Sequence, residues 1–245
     1  MNYDLINLET VDSTNAFLKQ HLKVNKVYRP LVCVTQHQTA GYGQRQRAWL
    51  TNAQSCIFSI AYPLVQGDPI APSLSLKLAI SLHRSLTQLV PESLWLKWPN
   101  DLYDLQGKVA GILIEVAKTS EAQSFLIIGI GINRHALLSA QRQVGASALS
   151  YFDTEDLLAL LMQNLSSLVM QQHDYDYWAL HDYLSLGEAV SLISHDNATI
   201  QKQGLYQGID NDGSAKIDTG QSELMRLSSG WSIRKRFEKA KSLSG

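Results

Sequence analysis

Three clusters of residues in this sequence could do chemistry. The first is the loop Gln38-Thr39-Ala40-Gly41-Tyr42-Gly43-Gln44-Arg45-Gln46-Arg47-Ala48-Trp49. Its glycines let backbone N–H groups approach an anion closely. Arg45 and Arg47 add fork-shaped donors suited to phosphate, and Trp49 offers a stacking face. The second runs Lys97-Trp98-Pro99-Asn100-Asp101 and resumes at Gly107-Lys108-Val109-Ala110-Gly111, ending at Glu115. Two lysines and one carboxylate flank apolar strands there, and a lysine beside the small step Ala110-Gly111 can hold its ammonium over a narrow pocket. The third, Gly129-Ile130-Gly131-Ile132-Asn133, ends an apolar run where backbone and amide could read a ring edge. Each has an ordinary reading when taken singly: solvated loop arginines, hairpin-edge lysines with an apolar stem at work, an asparagine in a turn.

Other catalytic signatures are absent. Gly107-Lys108-Val109 fails the phosphate-loop pattern, there is no HExxH or CxxC, and Gly41-Tyr42-Gly43 lacks the third glycine of a dinucleotide fingerprint. The seven histidines are scattered and read as structural or surface residues. Cys33 and Cys56 both sit in apolar text and read as buried thiols rather than a disulfide or metal pair. No protein-held metal is expected.

The elements that must position these clusters follow from periodicity. Tyr3 to Leu8, Leu31 to Thr35, Ser55 to Tyr62, Trp95 to Trp98, Val109 to Val116 and Phe125 to Ile132 read as strands, the last two as a hairpin. Asp12-Ser13-Thr14 reads as a helix start. Residues 74–90 show helical spacing, Asp153 or Thr154 caps a helix with Leu157, Leu161, Leu165 and Leu168 on one face, and a shorter helix covers Tyr175 to Leu184. Asn100-Asp101 reads as a turn. From Gly187 the text changes to short apolar pieces (Val190 to Ile193, Thr199-Ile200, Leu205-Tyr206, Ala215 to Ile217, Leu224-Met225) divided by turn residues such as Asn211-Asp212-Gly213, which suits a small β-barrel. The expected fold is α+β, with a boundary dividing 1–185 from 186–245.

Composition bounds the class. Apolar residues make up 45%, and 21 Lys+Arg against 22 Asp+Glu leave a net charge of −1, without the basic field of a nucleic-acid binder. Positive charge for a phosphate ligand must therefore be local. Asp4 and Glu9 stand where a signal peptide would be basic and then apolar, and the most apolar stretch, Phe125 to Ile132, is far too short to span a bilayer. A cytoplasmic protein with no membrane partner is expected.

Asp12-Ser13-Thr14-Asn15, the 38–49 loop, Lys97 to Asp101, Lys108 to Glu115 and Gly129 to Asn133, in this order, resemble the biotin–protein ligase family. The Lys-Trp-Pro-Asn-Asp run and the Lys-Val-Ala-Gly-Ile-Leu run carry the resemblance most specifically. It implies a mixed sheet flanked by helices, like class II synthetases, and a C-terminal SH3-like β-barrel. It also implies an enzyme that makes biotinyl-5'-AMP from biotin and ATP with Mg²⁺, then transfers biotin to a lysine of a biotin carboxyl carrier protein, that of acetyl-CoA carboxylase. On the resemblance, Ser13, Thr14, Asn15, Gln38, Gly41, Tyr42, Gly43, Gln44, Lys108 and Gly111 hold biotin, with ureido hydrogen bonds from Ser13, Thr14 and Gln38. Arg45, Arg47 and Lys97 neutralise the phosphates, Trp49, Asn133 and Ser147 contact adenine, and Lys108 lies on the carboxylate and α-phosphate oxygens. Asp101 orients or deprotonates the incoming lysine.

Where many members read Gly-Arg-Gly-Arg-x-Gly-Arg, this sequence has Tyr42, Gln44 and Gln46 in place of two arginines and a glycine. The expectation is a loop that still folds over its ligand with Tyr42 and Trp49 as an apolar lid, and a weaker hold on the adenylate. About twelve residues precede Ser13, too few for the helix-turn-helix that makes some members repressors, so no nucleic-acid role is expected. Arg234, in a basic tail, stands near a point where the family has an arginine. The alternatives are a lipoate–protein ligase, a non-enzymatic biotin-binding module and, at the greatest distance, a dinucleotide-dependent enzyme. Gln38 speaks against lipoate, which has no ureido group. Nothing in the sequence decides between monomer and homodimer.

Overall fold

A computed structural model of the chain describes residues 3–64, 70–119, 123–135, 137, 139–143, 145–165, 168–194, 201–228 and 230–236. The fold is α+β. Strands β1 (Asp4–Val11), β2 (Leu31–Gln38), β3 (Cys56–Pro63), β4 (Trp95–Lys97), β5 (Asp101–Tyr103), β6 (Lys108–Lys118) and β7 (Ser124–Ile132) form a seven-stranded sheet in the order β1-β2-β3-β7-β6-β5-β4. β1 runs parallel to β2, and every other pairing is antiparallel.

Helices cover both faces. On one, α1 (Thr14–Val24) buries Leu18 and Leu22 against Cys33, Ala61, Phe125 and Ile127. On the other, α2 (Leu74–Leu86), α4 (Thr154–Asn164) and α5 (Gln172–His181) pack over Val32, Phe58, Ile60, Leu126 and Ile128. Residues on these strands alternate between the two helix layers, so the apolar run of β7 is buried on both faces. A short α3 (Ser139–Gln143), which periodicity does not signal, follows β7.

Local chemistry explains the starts. The Ser13 hydroxyl accepts from Ala16 N, Asp153 accepts from Glu155 N and Asp156 N, and Gln171 forms a capping box with Asp174. Asp174 also takes Lys77 Nζ at 2.7 Å, a buried ion pair that joins α5 to α2.

Several boundaries differ from the sequence reading. α2 stops at Leu86 rather than residue 90, and α5 lies three residues earlier than the expected 175–184. The turn occupies Trp98 to Asn100, and Asp101 already begins β5, because its backbone pairs with both Lys97 and Gly111.

The C-terminal part is a five-stranded antiparallel sheet, β8 (Ala189–Ser194), β9 (Gln201–Ile209), β10 (Ala215–Asp218), β11 (Met225–Leu227) and β12 (Trp231–Lys235), in the order β11-β10-β9-β8-β12. Among the described residues its edges β11 and β12 do not pair, so the expected barrel is open. Asn211 to Gly213 does turn between β9 and β10, with Gly213 at φ +87°. The expected piece Thr199-Ile200 lies outside the described residues. No helix among the described residues is long and apolar enough to cross a membrane.

Candidate active site

The α1 helix covers only part of its face of the large sheet. Beyond its N-terminus the same face is left to a cleft of about 470 Å³. One rung of the sheet makes the middle of its floor. Lys97 pairs with Asp101, Asp101 with Gly111, and Gly111 with Gly131, across β4, β5, β6 and β7. Paired residues stand side by side roughly 5 Å apart and point to one face. The next rung toward α1 pairs Leu113, Gly129 and Ser59.

The glycines matter because of what lies on them. A Cβ on Gly129 would stand 2.4 Å from Asn15 Oδ1, one on Gly131 2.4 Å from Trp49 Cε2, and one on Gly111 2.9 Å from Lys108 Nζ. From Gly129 to Asn133 the floor extends roughly 13 Å at the strand rise, room for two joined ring systems end to end.

The end of the cleft beside α1 is polar. Gln38 Oε1 accepts from Thr14 N at 2.8 Å and Thr14 Oγ1 at 3.1 Å, and Ser59 Oγ lies 2.6 Å from both Thr14 Oγ1 and Asn15 Oδ1. Ser13, Thr14, Asn15 and Ser59 are all buried. Ser59 does not line the cleft but supports Thr14 and Asn15 from behind, a role sequence reasoning missed. Its signal was a lone polar residue inside the apolar run Cys56 to Tyr62.

At the centre stands Lys108. Its Nζ is 2.6 Å from Asp101 Oδ1 and 5.3 Å from the centroid of the Trp49 ring. Its backbone is pinned on both sides: Lys108 N donates to Gly145 O, and Lys108 O accepts from Ser147 N at 2.8 Å and from the Asn133 amide at 3.2 Å. Asp104 braces this arrangement by accepting from Gly107 N and from the Ser147 hydroxyl.

Lys97 donates to the Tyr103 hydroxyl at 3.0 Å. Burial pulls its ammonium below the usual lysine range, against the opposing charge of Asp101. Burial also pushes the Tyr103 phenol up to about 12. Arg234 is exposed, yet its charge reaches Lys97 and adds to the depression.

Residues 41–49 form a flap over this floor. Tyr42 bridges to Ala48, Gly43 N donates to Arg47 O, and Trp49 N donates to Gly41 O. A tight turn at Gln44–Gln46 closes the tip, with Arg45 at φ +58° and Gln46 at φ +59°. Gly43, Gln44, Arg47 and Trp49 line the cleft, while Gly41 packs on Gln38 and the Arg45 side chain reaches toward Gly230. Tyr42 also lines the cleft, and its hydroxyl, rather than standing free, hydrogen-bonds Glu115 and Lys19. The Trp49 ring packs on the floor at Gly131, and its buried Nε1 has no hydrogen-bond partner.

At the far end Asn133 lines the cleft with its amide committed on both sides, to Lys108 O and to Gln141 Nε2. Ser147 lies just behind Ala146, its hydroxyl given to Asp104. Trp231, Ser232 and Ile233 of β12 complete the wall from the C-terminal sheet. Nothing local in the sequence announced them. Among the described residues no group of His, Cys, Asp and Glu could hold a metal ion.

Residues 8–133 match the Biotin/lipoate A/B protein ligase family. The chain is 29% identical over 232 residues to the bifunctional ligase/repressor BirA of Escherichia coli, a match covering 86% of this chain and 68% of that protein. It is 28% identical over 224 residues to the biotin–[acetyl-CoA-carboxylase] ligase of Mycobacterium tuberculosis, covering 85% of this chain and 80% of that protein. Among solved structures, a biotin protein ligase from Aquifex aeolicus in complex with biotin and ATP superposes with a TM-score of 0.74 at 26% identity, over 95% of this chain and 99% of that one. The match spans half the chain and includes the polar end, the flap and the lysine-bearing strands: this chain belongs to the biotin/lipoate A/B protein ligase family.

Proposed function

We propose that this chain is an ATP-dependent biotin–protein ligase. In the first step a biotin carboxylate oxygen attacks the α-phosphorus of ATP, the bond to the bridging oxygen breaks, and pyrophosphate leaves to give biotinyl-5'-AMP. In the second, the amine of a carrier lysine attacks the acyl carbon, the bond to AMP breaks, and the amine gives up a proton. ATP enters as its Mg²⁺ complex and biotin as a substrate, with no tightly held prosthetic group. The second substrate is a biotin carboxyl carrier protein of acetyl-CoA carboxylase, and the setting is the cytoplasm.

The observation that carries this reading is the placement of Lys108. Its ammonium stands at mid-floor, between a polar end and a far end walled by Asn133 and Ala146. Charge that develops where an acyl group meets a phosphate would form beside it. Ser13, Thr14, Asn15 and Gln38 then take the ureido ring, with Tyr42, Gly43 and Gln44 closing over it from the flap, Gly41 backing Gln38 and Gly111 beneath. Arg45, Arg47 and Lys97 neutralise phosphate, and Trp49, Asn133 and Ser147 face the adenine. Asp101 holds Lys108 before the reaction and takes up the proton of the carrier lysine in the second step. Residues 1–185 form the catalytic domain and 186–245 the appended β domain, which lends the cleft one wall.

A buried polar end discriminates strongly against a ligand that leaves its groups unpaired. Calorimetry and pyrophosphate release with MgATP and either biotin or lipoate therefore test the reading. Biotin should bind and drive pyrophosphate release, and lipoate should do neither. Release driven by lipoate would make the chain a lipoate ligase, and biotin binding without release would make it a non-enzymatic binder.

A further inference from the structure

Glu115 lies on β6 beyond the glycine floor, and three donors converge on it. Asn15 Nδ2 reaches Oε2 at 2.8 Å, Lys19 Nζ reaches Oε1 at 2.8 Å, and the Tyr42 hydroxyl reaches Oε2 at 2.9 Å. Lys19 Nζ also lies 3.1 Å from the Tyr42 hydroxyl. Burial works against both charges, but the hydrogen bonds outweigh it. Glu115 is held below the usual carboxylate range and Lys19 above the usual lysine range. Three separate segments (α1, the flap and β6) thus meet at one carboxylate.

The two ends of the flap are held differently. At Trp49 the ring packs on Gly131 and lies 5.3 Å from Lys108 Nζ, with no hydrogen bond from the indole N–H. At Tyr42 the contact is a hydrogen bond to an ionised carboxylate, roughly twice as strong as a neutral one. We propose that Tyr42 is a positioning residue whose hydroxyl latches the 41–49 flap to Glu115 and Lys19, and that this latch sets how long the acyl-nucleotide intermediate stays in the cleft. The second half of this proposal rests on the ligase reading above, and the first does not.

The tip of the flap carries its own reporter, because Arg45 and Arg47 are exposed and trypsin cleaves after arginine. In the ligand-free full chain under native conditions, Tyr42→Phe should raise the rate of nicking after Arg45 and Arg47 about ten-fold, the effect of losing one charge-assisted hydrogen bond. Lys19→Met should also raise it, yet add nothing further in the Tyr42→Phe background, because both act on one junction. Thermal melting of each variant separates local opening from loss of the fold. The off-rate of biotinyl-5'-AMP formed on the enzyme should rise about ten-fold in Tyr42→Phe, by the same argument. Wild-type nicking in a folded Tyr42→Phe protein would overturn the latch. Faster nicking with an unchanged off-rate would overturn its control of residence time. A wild-type protein that forms no adenylate would remove the ligase reading, while the nicking rates would still decide the latch.

Discussion

Lys108 and Asp101 neutralise one another across 2.6 Å, both partly shielded from water. The pair pre-places a cation that an anionic substrate can draw on, and it leaves a carboxylate beside the reacting centre once the ammonium is engaged elsewhere. Lys108→Met should slow adenylate formation by about 10²-fold or more, as when an oxyanion donor is lost. Asp101→Asn should spare pyrophosphate release yet slow transfer to the carrier lysine by about 10²-fold, the scale of a lost general base. Equal loss in both steps would sink the Asp101 assignment. At the tip of the flap, Gln46 holds a left-handed conformation that costs a residue with a Cβ about 1 kcal/mol. Gln46→Gly should therefore raise stability by up to about 1 kcal/mol in urea unfolding, less the greater freedom glycine has in the unfolded chain. A loss would mean that the glutamine side chain contributes more than its backbone costs. This much was legible beforehand, since glycine is the residue the family pattern puts at position 46.

Among the elements, the joint between α5 and the C-terminal sheet is built on a half-buried carboxylate. Asp182 Oδ2 accepts from Tyr206 OH at 2.6 Å and from Trp178 Nε1 at 3.1 Å, and Oδ1 accepts from Leu184 N. Burial nevertheless prevails and pushes its carboxyl up to about 6. The folded protein thus binds this proton more tightly than the unfolded chain. The contribution of Asp182 to stability is largest below about pH 4 and falls as pH rises through 6, by about 3 kcal/mol for a shift near two units. Melting temperatures from pH 4 to 7 should therefore decline more steeply in the wild type than in Asp182→Asn. Parallel profiles would show that the carboxyl titrates normally. The caps and most strands of this layer were readable from the sequence. The joint was not, because Trp178, Asp182 and Tyr206 are unremarkable singly and meet only when β9 docks on α5.

For the molecule as a whole, the site depends on both sheets. Trp98 is buried beside the lysine-bearing strand and donates its Nε1 to Gly213 O, at the turn between β9 and β10. Trp231, Ser232 and Ile233 then wall the cleft. Trp98→Phe keeps the packing and leaves the Gly213 carbonyl without its donor, so it should cost about 1–2 kcal/mol in urea unfolding. No change in the unfolding midpoint would mean that the two sheets do not rely on this bond.

By itself, the sequence determined what is local in the chain: helix starts set by Ser13 and Asp153, buried strands, the glycine- and arginine-bearing loop, the lysine motifs, and through them the family. Tertiary structure alone decided which of these residues are neighbours. Lys97, Asp101, Gly111 and Gly131 share a rung only because β4, β5, β6 and β7 pair in one register. Glu115 holds Tyr42 only because α1 and the flap converge on β6. The C-terminal strands form an open sheet whose edge reaches the cleft. Periodicity reports which way a side chain faces its own strand or helix, whereas register and docking are settled by the burial of the whole core, to which every element contributes at once.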